Sequence, residues 1–375
     1  MTPYEILNHE FDSQIESVKS ADEVILYGKT EIATIFLRAL PSLGVKAPIL
    51  VFDNGDFVNG QSSSLTLKCV VILCGKRKYT RECMMVSCNE YFNGCEILGW
   101  HTLYFGYITS VIRRRCDYRL LAETILKMPD EQNTIESLCC ILTTKCTLSC
   151  VDCDMGCVFV KKPADEPVDL FNKRLNKITA FKPVSIIVLQ GGEVLLHKQF
   201  PQIIYDCAKN PGIGVITIAT NGTLIPSDEV CLAAKASGVM FRISDYGELS
   251  VNYERLVERL NEYDIPWEWY PRAEVWFTQG EMFLHGRDEK TNRECAARCF
   301  FNGNTVFFDG KVVPCDRTCT ALIMGKNVYS NAVDVDNDFK KIDIDSVNNR
   351  ENLWQMCDYC DYPMTIVEPA MQLIK

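Results

Sequence analysis

The sequence predicts an α/β protein with two successive parallel-sheet units and a small cysteine-rich unit after them. Short apolar runs alternate with helical patterns in residues 24–74 and again from residue 138 onward. This alternation is typical of parallel strands joined by helices. After about residue 293 the pattern changes to cysteines around a short hairpin. The three observations together define the predicted order of units along the chain.

Four segments follow from these changes of pattern, because 375 residues exceed one ordinary domain. We expect an α/β domain at residues 1–90 and a bridging helical segment at 91–136. A larger α/β core is predicted at 137–292, and a small metal-binding domain at 293–375.

Composition limits the classes of function. A net charge of -10 and a pI near 5.1 argue against the broad basic face that nucleic-acid binders carry. We expect Arg113, Arg114 and Arg115 to form a solvated surface or to contact a substrate phosphate. No basic segment followed by an apolar stretch begins the chain, and no apolar run approaches the ~20 residues that span a bilayer. The sequence therefore predicts a cytoplasmic protein without membrane contact.

The first unit has the beginning of a βαβ sheet. Strands are predicted at residues 24–27, 49–52 and 70–74, with a helix at 30–40. Gly28 follows the first strand, and Asp53 ends the second, where a dinucleotide-binding fold holds a ribose. The full G-x-G-x-x-G motif is absent. We predict a half-Rossmann-like domain with a structural or docking role, with nucleotide binding as the alternative.

The second unit repeats the alternation. After a helical segment at 118–127, strands are predicted at 138–143, 185–189, 215–219, 240–243 and 267–270. Helices are predicted at 170–179, around 233 and at 253–260. Parallel strands with right-handed crossovers form an open sheet or partial barrel, in which chemistry lies at the carboxyl ends of the strands.

A cysteine triplet follows the first of these strands. Twenty cysteines in a reducing compartment indicate metal ligands and buried apolar residues rather than disulfides. Cys146, Cys150 and Cys153 have the spacing C-x3-C-x2-C, and three thiolates on one loop can hold a [4Fe–4S] cube whose fourth iron stays open. The alternatives are a closed electron-transfer cluster that includes Cys157, or a zinc site on the same thiols.

Polar and glycine-rich motifs follow the next three strands. A glycine pair lets backbone approach a ligand, a glutamate can accept from the ammonium of a methionine, and hydroxyl, amide and carboxylate groups suit a ribose and a carboxylate. The candidate cofactor-binding residues are Gly191, Gly192, Glu193, Thr220, Asn221, Ser244 and Asp245.

This combination resembles the radical S-adenosylmethionine (SAM) superfamily over residues 138–264. The resemblance implies a partial (β/α)6 barrel, a SAM molecule that chelates the open iron, and its one-electron cleavage to a 5′-deoxyadenosyl radical. It also implies a flavodoxin or ferredoxin-type electron donor. One departure is Asp152, because the superfamily usually has an aromatic residue just before the third cysteine.

The last unit resembles the twitch type of auxiliary-cluster domain, a shortened relative of the SPASM domain. A hairpin at residues 304–308 and 311–313, turned by Asp309-Gly310, separates two cysteines, and a C-x2-C pair follows later. The resemblance implies a second [4Fe–4S] cluster on Cys299, Cys315, Cys357 and Cys360. The alternatives are a zinc site on these thiols and replacement of Cys299 by Cys295 or Cys319.

The resemblance implies hydrogen abstraction from a small polar substrate (a sugar, nucleotide sugar or aminocyclitol-like molecule), giving dehydrogenation or epimerisation. The candidate base of a dehydrogenase is Arg242 or Asp316, and the candidate hydrogen donor of an epimerase is Cys319 or Cys157. Two alternatives remain open. One is a maturase of a ribosomally made peptide, and the other is a non-catalytic electron carrier or scaffold, for which Asp152 is the best support.

Overall fold

Two sheets, both largely parallel, organise the chain in a computed structural model of the protein. The structure describes residues 1–60, 68–75, 78–130, 132–271, 276–278, 282–299, 305–326, 332–337, 344, 347, 355–361 and 364–373. Among these residues no helix is both long and apolar enough to span a membrane.

The first sheet confirms the predicted βαβ pattern. Its strands are β1 (Glu23–Tyr27), β2 (Ile49–Asp53), β3 (Asp56–Phe57), β4 (Cys69–Leu73) and β5 (Glu96–Gly99), in the order β3-β2-β1-β4-β5. All neighbours are parallel except the β2–β3 pair. Its helices are α1 (Pro3–Lys19), α2 (Glu31–Ser42) and α3 (Lys78–Tyr91). Strand β5 extends this sheet into the segment expected to be only a helical bridge.

The bridge itself is helical as predicted. Helix α4 (Trp100–Gly106) runs into a π-helical turn (Tyr107–Ile112), and α5 (Tyr118–Lys127) follows. Asp117 begins α5 by accepting hydrogen bonds from two backbone N–H groups of its first turn. These helices pack on α1 and lead the chain to the second sheet.

The second sheet contains the predicted parallel strands. They are β6 (Ile135–Ile141), β7 (Val184–Gln190), β8 (Ile213–Thr220), β9 (Met240–Asp245) and β10 (Trp267–Pro271). The helices α6 (Val168–Phe181), α7 (Phe200–Lys209), α8 (Asp228–Ser237) and α9 (Tyr253–Glu262) cover one face. Of these, α7 is the helix that the sequence pattern did not predict.

Both faces of this sheet are buried, which explains why its strands are continuous apolar runs. In β7, Ile187 and Leu189 pack outward against the helices, whereas Ile186 and Val188 face inward. The inward side chains share one core with α4 and α5. The first unit thus fills part of the inner side of the partial barrel.

The cysteine-rich segment joins the same sheet instead of forming a separate layer. Strand β12 (Thr305–Phe308) pairs in parallel with β6, and β13 (Lys311–Val313) and β14 (Val333–Asp334) extend the edge. The predicted Asp309-Gly310 turn is present, with both residues at positive φ; Asn304, the first predicted hairpin residue, lies outside the described residues. Helices α10 (Glu289–Ala297) and α11 (Asp316–Ile323) and the pair β11 (Trp276–Thr278) and β15 (Thr365–Val367) complete this part.

Arg114 joins the bridge to the second sheet. Its side chain is buried, and its guanidinium donates to five backbone carbonyl oxygens between residues 207 and 214 at 2.6–3.4 Å. The expected solvated or phosphate-contacting role is therefore wrong for this residue, although Arg113 and Arg115 are exposed. A run of like charges does not reveal which member points inward.

We expect R114M to lower the free energy of unfolding by about 3 kcal/mol, because buried carbonyl groups lose their donors. The matched R115M change removes an exposed guanidinium and should alter stability by less than about 0.5 kcal/mol. Urea unfolding followed by circular dichroism measures both. Equal stability of the two variants would contradict a stabilising role for the hydrogen bonds of Arg114.

Candidate active site

The three-cysteine loop begins directly after β6 and is held against the Gly191-Gly192 pair. Gly192 N donates to Thr143 O at 2.9 Å, and Glu193 N donates to Lys145 O at 2.8 Å. A Cβ atom on Gly192 would lie 2.3 Å from the Lys145 oxygen and 2.8 Å from Cys146 Cβ. Only glycine permits this approach of the two backbones, so the glycine pair fixes where the loop stands.

Glu193 holds the end of β8 in place. Its buried carboxylate accepts from Thr220 Oγ1 at 2.9 and 3.0 Å, from Asn221 N at 2.9 Å and from Leu195 N at 3.0 Å. Burial raises its pKa, and these hydrogen bonds oppose the shift. The structure does not bring Glu193 to the cavity wall, so it does not support the expected contact with a SAM ammonium. Glu193 is better described as a positioning residue.

Asn221 connects the end of β8 to the cysteine loop. Its Nδ2 atom donates to Thr147 Oγ1 at 3.1 Å and to Cys146 Sγ at 3.7 Å. Ser244, at the end of β9, lines the same cavity. Asp245 does not line it, because its carboxylate accepts from Gly247 N and from Trp269 Nε1, both at 2.9 Å.

The surroundings of the three thiols shift their pKa values in different directions. Burial raises the pKa of Cys146 to about 12 and also raises that of Cys150. The Cys157 thiol and nearby backbone N–H groups lower the pKa of Cys153 to about 7. The Cys157 thiol therefore lies close enough to Cys153 to influence its pKa.

The thiol loop offers three sulfurs to the iron–sulfur cube that its spacing predicts. In the part of the chain that the structure describes, no three Cys, His, Asp or Glu side chains converge closely enough for one metal ion. A cube joins its thiolates through several irons, so they need not converge on one point. Hydrogen bonds to the sulfurs, which such clusters use, reach Cys146 from Leu148 N at 3.4 Å and Cys150 from Gln372 Nε2 at 3.2 Å.

A cavity of about 350 Å³ extends from this loop into the barrel. Arg242 lines it on β9 and lies 5.6 Å from the centre of the Tyr270 ring. Glu31, the first residue of α2, brings a buried carboxylate from the first unit to the same wall. The other charged side chains of the wall are those of Glu136, Asp154 and Asp316.

Two aromatic residues of the wall were missed by sequence reasoning. Tyr246 stacks on Trp276 with 5.5 Å between ring centres, and both line the cavity. Tyr246 directly follows Asp245 at the end of a predicted strand, so its position in the sequence could have indicated a place in the site. No local sequence pattern indicates that Trp276 belongs to the site. Asp152, which replaces the usual aromatic residue, accepts a hydrogen bond from Thr278 Oγ1 at 2.6 Å on the same strand as Trp276.

The four predicted auxiliary ligands influence one another electrostatically. Burial raises the pKa of Cys360 to about 12, with Cys357 and Cys299 adding to the shift and Arg317 opposing it. Burial and then Cys360 raise the pKa of Cys315. Mutual effects of this kind require the thiols to lie near one another.

The two spare cysteines differ in their surroundings, because Cys295 lies beside the proposed auxiliary ligands and Cys319 does not. Cys295 accepts from Arg287 Nη1 at 3.8 Å, and the same guanidinium donates to the carbonyl oxygens of Cys357 and Cys360, both at 2.7 Å. Cys319 is fully buried in an apolar cluster with Ile141 and is not part of the cavity wall. The structure therefore gives no support to Cys319 as a catalytic residue.

The three thiols lie at the carboxyl end of β6, next to the glycine pair that follows β7. Residues 140–244, from β6 to the end of β9, match the radical SAM superfamily. The chain therefore carries a radical SAM domain. No curated protein sequence matches the chain significantly.

Two solved structures resemble parts of the chain. The crystal structure of Streptococcus suis SuiB bound to precursor peptide SuiA has a TM-score of 0.30 and 17% identity, covering 40% of this chain and 37% of that chain. The crystal structure of BtrN in complex with AdoMet and 2-DOIA has a TM-score of 0.40 and 14% identity, covering 60% of this chain and 93% of that chain. Neither alignment is close enough to indicate a substrate.

We expect G192A to prevent assembly of the cluster on the cysteine loop, because the added Cβ displaces the Lys145 backbone. Iron per chain after anaerobic reconstitution should fall by about four atoms. The control is G99A, since Gly99 has a φ of -81° and an added Cβ meets only ordinary contacts. Full iron loading of G192A would show that the glycine pair does not position the loop.

Proposed function

We propose that the protein is a radical SAM dehydrogenase that oxidises a small polar molecule bearing an amino group. One observation carries this proposal. Asp316 lines the cavity that the cysteine loop and β9 also line, and it directly follows Cys315, a proposed auxiliary ligand. Asp316 would then serve as a proton acceptor close to both proposed sites.

The proposed ligand sets are the three loop cysteines for the SAM-binding cluster and Cys299, Cys315, Cys357 and Cys360 for the auxiliary one. When bound, the first cluster and SAM supply a 5′-deoxyadenosyl radical, and the second supplies an electron acceptor. The Gly191-Gly192 backbone, Thr220, Asn221 and Ser244 would hold SAM. Asp245 and Glu193 would position these residues through hydrogen bonds without contacting SAM.

The charge of the cavity wall favours a cationic substrate. Among the described residues, four acidic residues and Arg242 line it, and an excess of acidic groups favours an amino group over a phosphate. Among the predicted substrates this favours an amino sugar or aminocyclitol over a nucleotide sugar. Glu31 makes the first unit a wall of this cavity, which supports a docking role for that unit.

The placement of the candidate bases favours dehydrogenation over epimerisation. Oxidation of an alcohol to a ketone removes a hydrogen atom from carbon, a proton from oxygen and one electron. Asp316 would take the proton, whereas Arg242 is a poor base because a guanidinium stays protonated. Arg242 would instead bind a substrate oxygen. An epimerase needs a hydrogen donor in the cavity. The candidate donors Cys157 and Cys319 do not line it, whereas Cys139, Tyr246 and Tyr270 do, so epimerisation stays the second candidate reaction.

We also propose a cytoplasmic location and a flavodoxin or ferredoxin-type donor for the reducing electron. Both follow from the chemistry, because such clusters and their thiolates require a reducing compartment.

The first experiment measures iron and SAM cleavage in the anaerobically reconstituted protein reduced with dithionite. We expect about eight irons per chain, and about four in either C150A or the double variant C357A/C360A. Only the variants that keep the loop cysteines should form 5′-deoxyadenosine. No cleavage by a fully loaded wild-type protein would favour the carrier or scaffold hypothesis.

A second experiment tests the base. With a panel of amino sugars and aminocyclitols, wild-type protein should give a product two hydrogens lighter by mass spectrometry. D316N should keep its iron and its 5′-deoxyadenosine formation but lose product formation by about 100-fold or more. D309N, which alters a carboxylate of the hairpin turn, should retain it. Equal product from both variants would assign the proton to another group.

A further inference from the structure

A segment far along the chain crosses the three-cysteine loop. Leu373 N donates to Ser149 O, and Val151 N donates to Met371 O, each at 2.8 Å. Cys150 and Gln372 form the centre of this short antiparallel bridge. Upstream, β15 pairs with β11, the strand whose Thr278 holds Asp152. The cysteine loop is therefore contacted by backbone from this segment as well as by the glycine pair.

The side chain of Gln372 makes three hydrogen bonds in this bridge. Its Oε1 accepts from Ser149 N at 2.7 Å, and its Nε2 donates to Ala370 O at 2.6 Å and to Cys150 Sγ at 3.2 Å. The orientation of the amide is determined by its partners, because a backbone N–H can only donate and a carbonyl can only accept. The group that faces the Cys150 sulfur is thus the NH₂ group.

This geometry matters for a cluster because reduction adds negative charge to the cube and its sulfurs. A hydrogen bond from a neutral donor is stronger to the more negative state, so it favours reduction. Cys150 is 9% exposed, and burial alone opposes the added charge. A fixed amide dipole at this corner offsets part of that cost, as outer partners of metal ligands do.

We propose that Gln372 is a positioning residue that raises the reduction potential of the SAM-binding cluster through its hydrogen bond to Cys150 Sγ. The inference rests on the proposed function, in that it places that cluster on Cys150. The proposal also makes residues 370–373 a functional part of the active site.

The test is an EPR-monitored redox titration of the full-length, anaerobically reconstituted protein. The signal that changes shape on addition of SAM identifies the cluster with the open iron. Q372L removes both polar atoms of the amide. Q372E keeps an oxygen that can accept from Ser149 N, and it replaces the NH₂ donor by a charged oxygen. This variant therefore separates the effect of the bond to Ser149 from the effect of the hydrogen bond to sulfur. The control is M371L, because Met371 is 47% exposed.

We expect the ratio of reduced to oxidised cluster at a fixed potential to fall about tenfold in Q372L, as for loss of one hydrogen bond to a charged acceptor. For a one-electron couple this equals a shift of about 59 mV to more negative values. Q372E should shift at least as far, and M371L should match wild type. If Q372L takes up no iron, Q372E alone decides the question.

A wild-type potential in Q372E, or in an iron-loaded Q372L, would overturn the proposal, as would a shift to more positive values. Failure of the proposed function has a different signature. If C150A retained all its iron, or if wild type bound iron without any SAM-sensitive signal, the cluster assignment itself would be wrong.

Discussion

The close approach of the Gly191-Gly192 backbone to the cysteine loop is the constraint on which the rest of the site depends. It sets the loop at the carboxyl ends of β6 and β7, where no side chain fits between the two backbones. Glu193, the next residue, fixes the end of β8, because its carboxylate accepts hydrogen bonds from Thr220 and Asn221. The motif therefore connects three strands, and its glutamate accepts the hydrogen bonds that join β7 to β8.

The first unit completes the barrel from within. Its helices share a core with the inward-facing side chains of the second sheet, and Arg114 satisfies a row of buried carbonyls at the same interface. Helix α2 contacts β10 and brings Glu31 to the cavity. A unit that resembles a nucleotide-binding half-domain in sequence thus forms part of the wall of another site.

Residues after the barrel close the site from the other side. The β12 strand extends the core sheet beside β6, so α11 and its Asp316 stand over the loop, where Thr320 Oγ1 donates to Asp154 O at 2.8 Å. Trp276 lies on β11, which pairs with β15. Gln372 follows β15 along the chain and bridges to Cys150. The hairpin and the helix that flank Cys315 are therefore joined to β6 by a shared sheet and to the cysteine loop by a hydrogen bond.

The sequence by itself determined the main parallel strands and the position of the cysteine loop. Strand and helix positions follow from apolar periodicity, and the cysteine spacing and strand-end motifs mark the site, because each is a local pattern. Only the tertiary structure decided where side chains point. The sequence shows that residues 193 and 114 are a glutamate and an arginine, but it does not show what Glu193 and Arg114 contact. It alone brought Glu31, Trp276 and Gln372 to the site. Such contacts join residues distant in sequence, and they depend on how two sheets and a late segment pack, which local patterns do not encode.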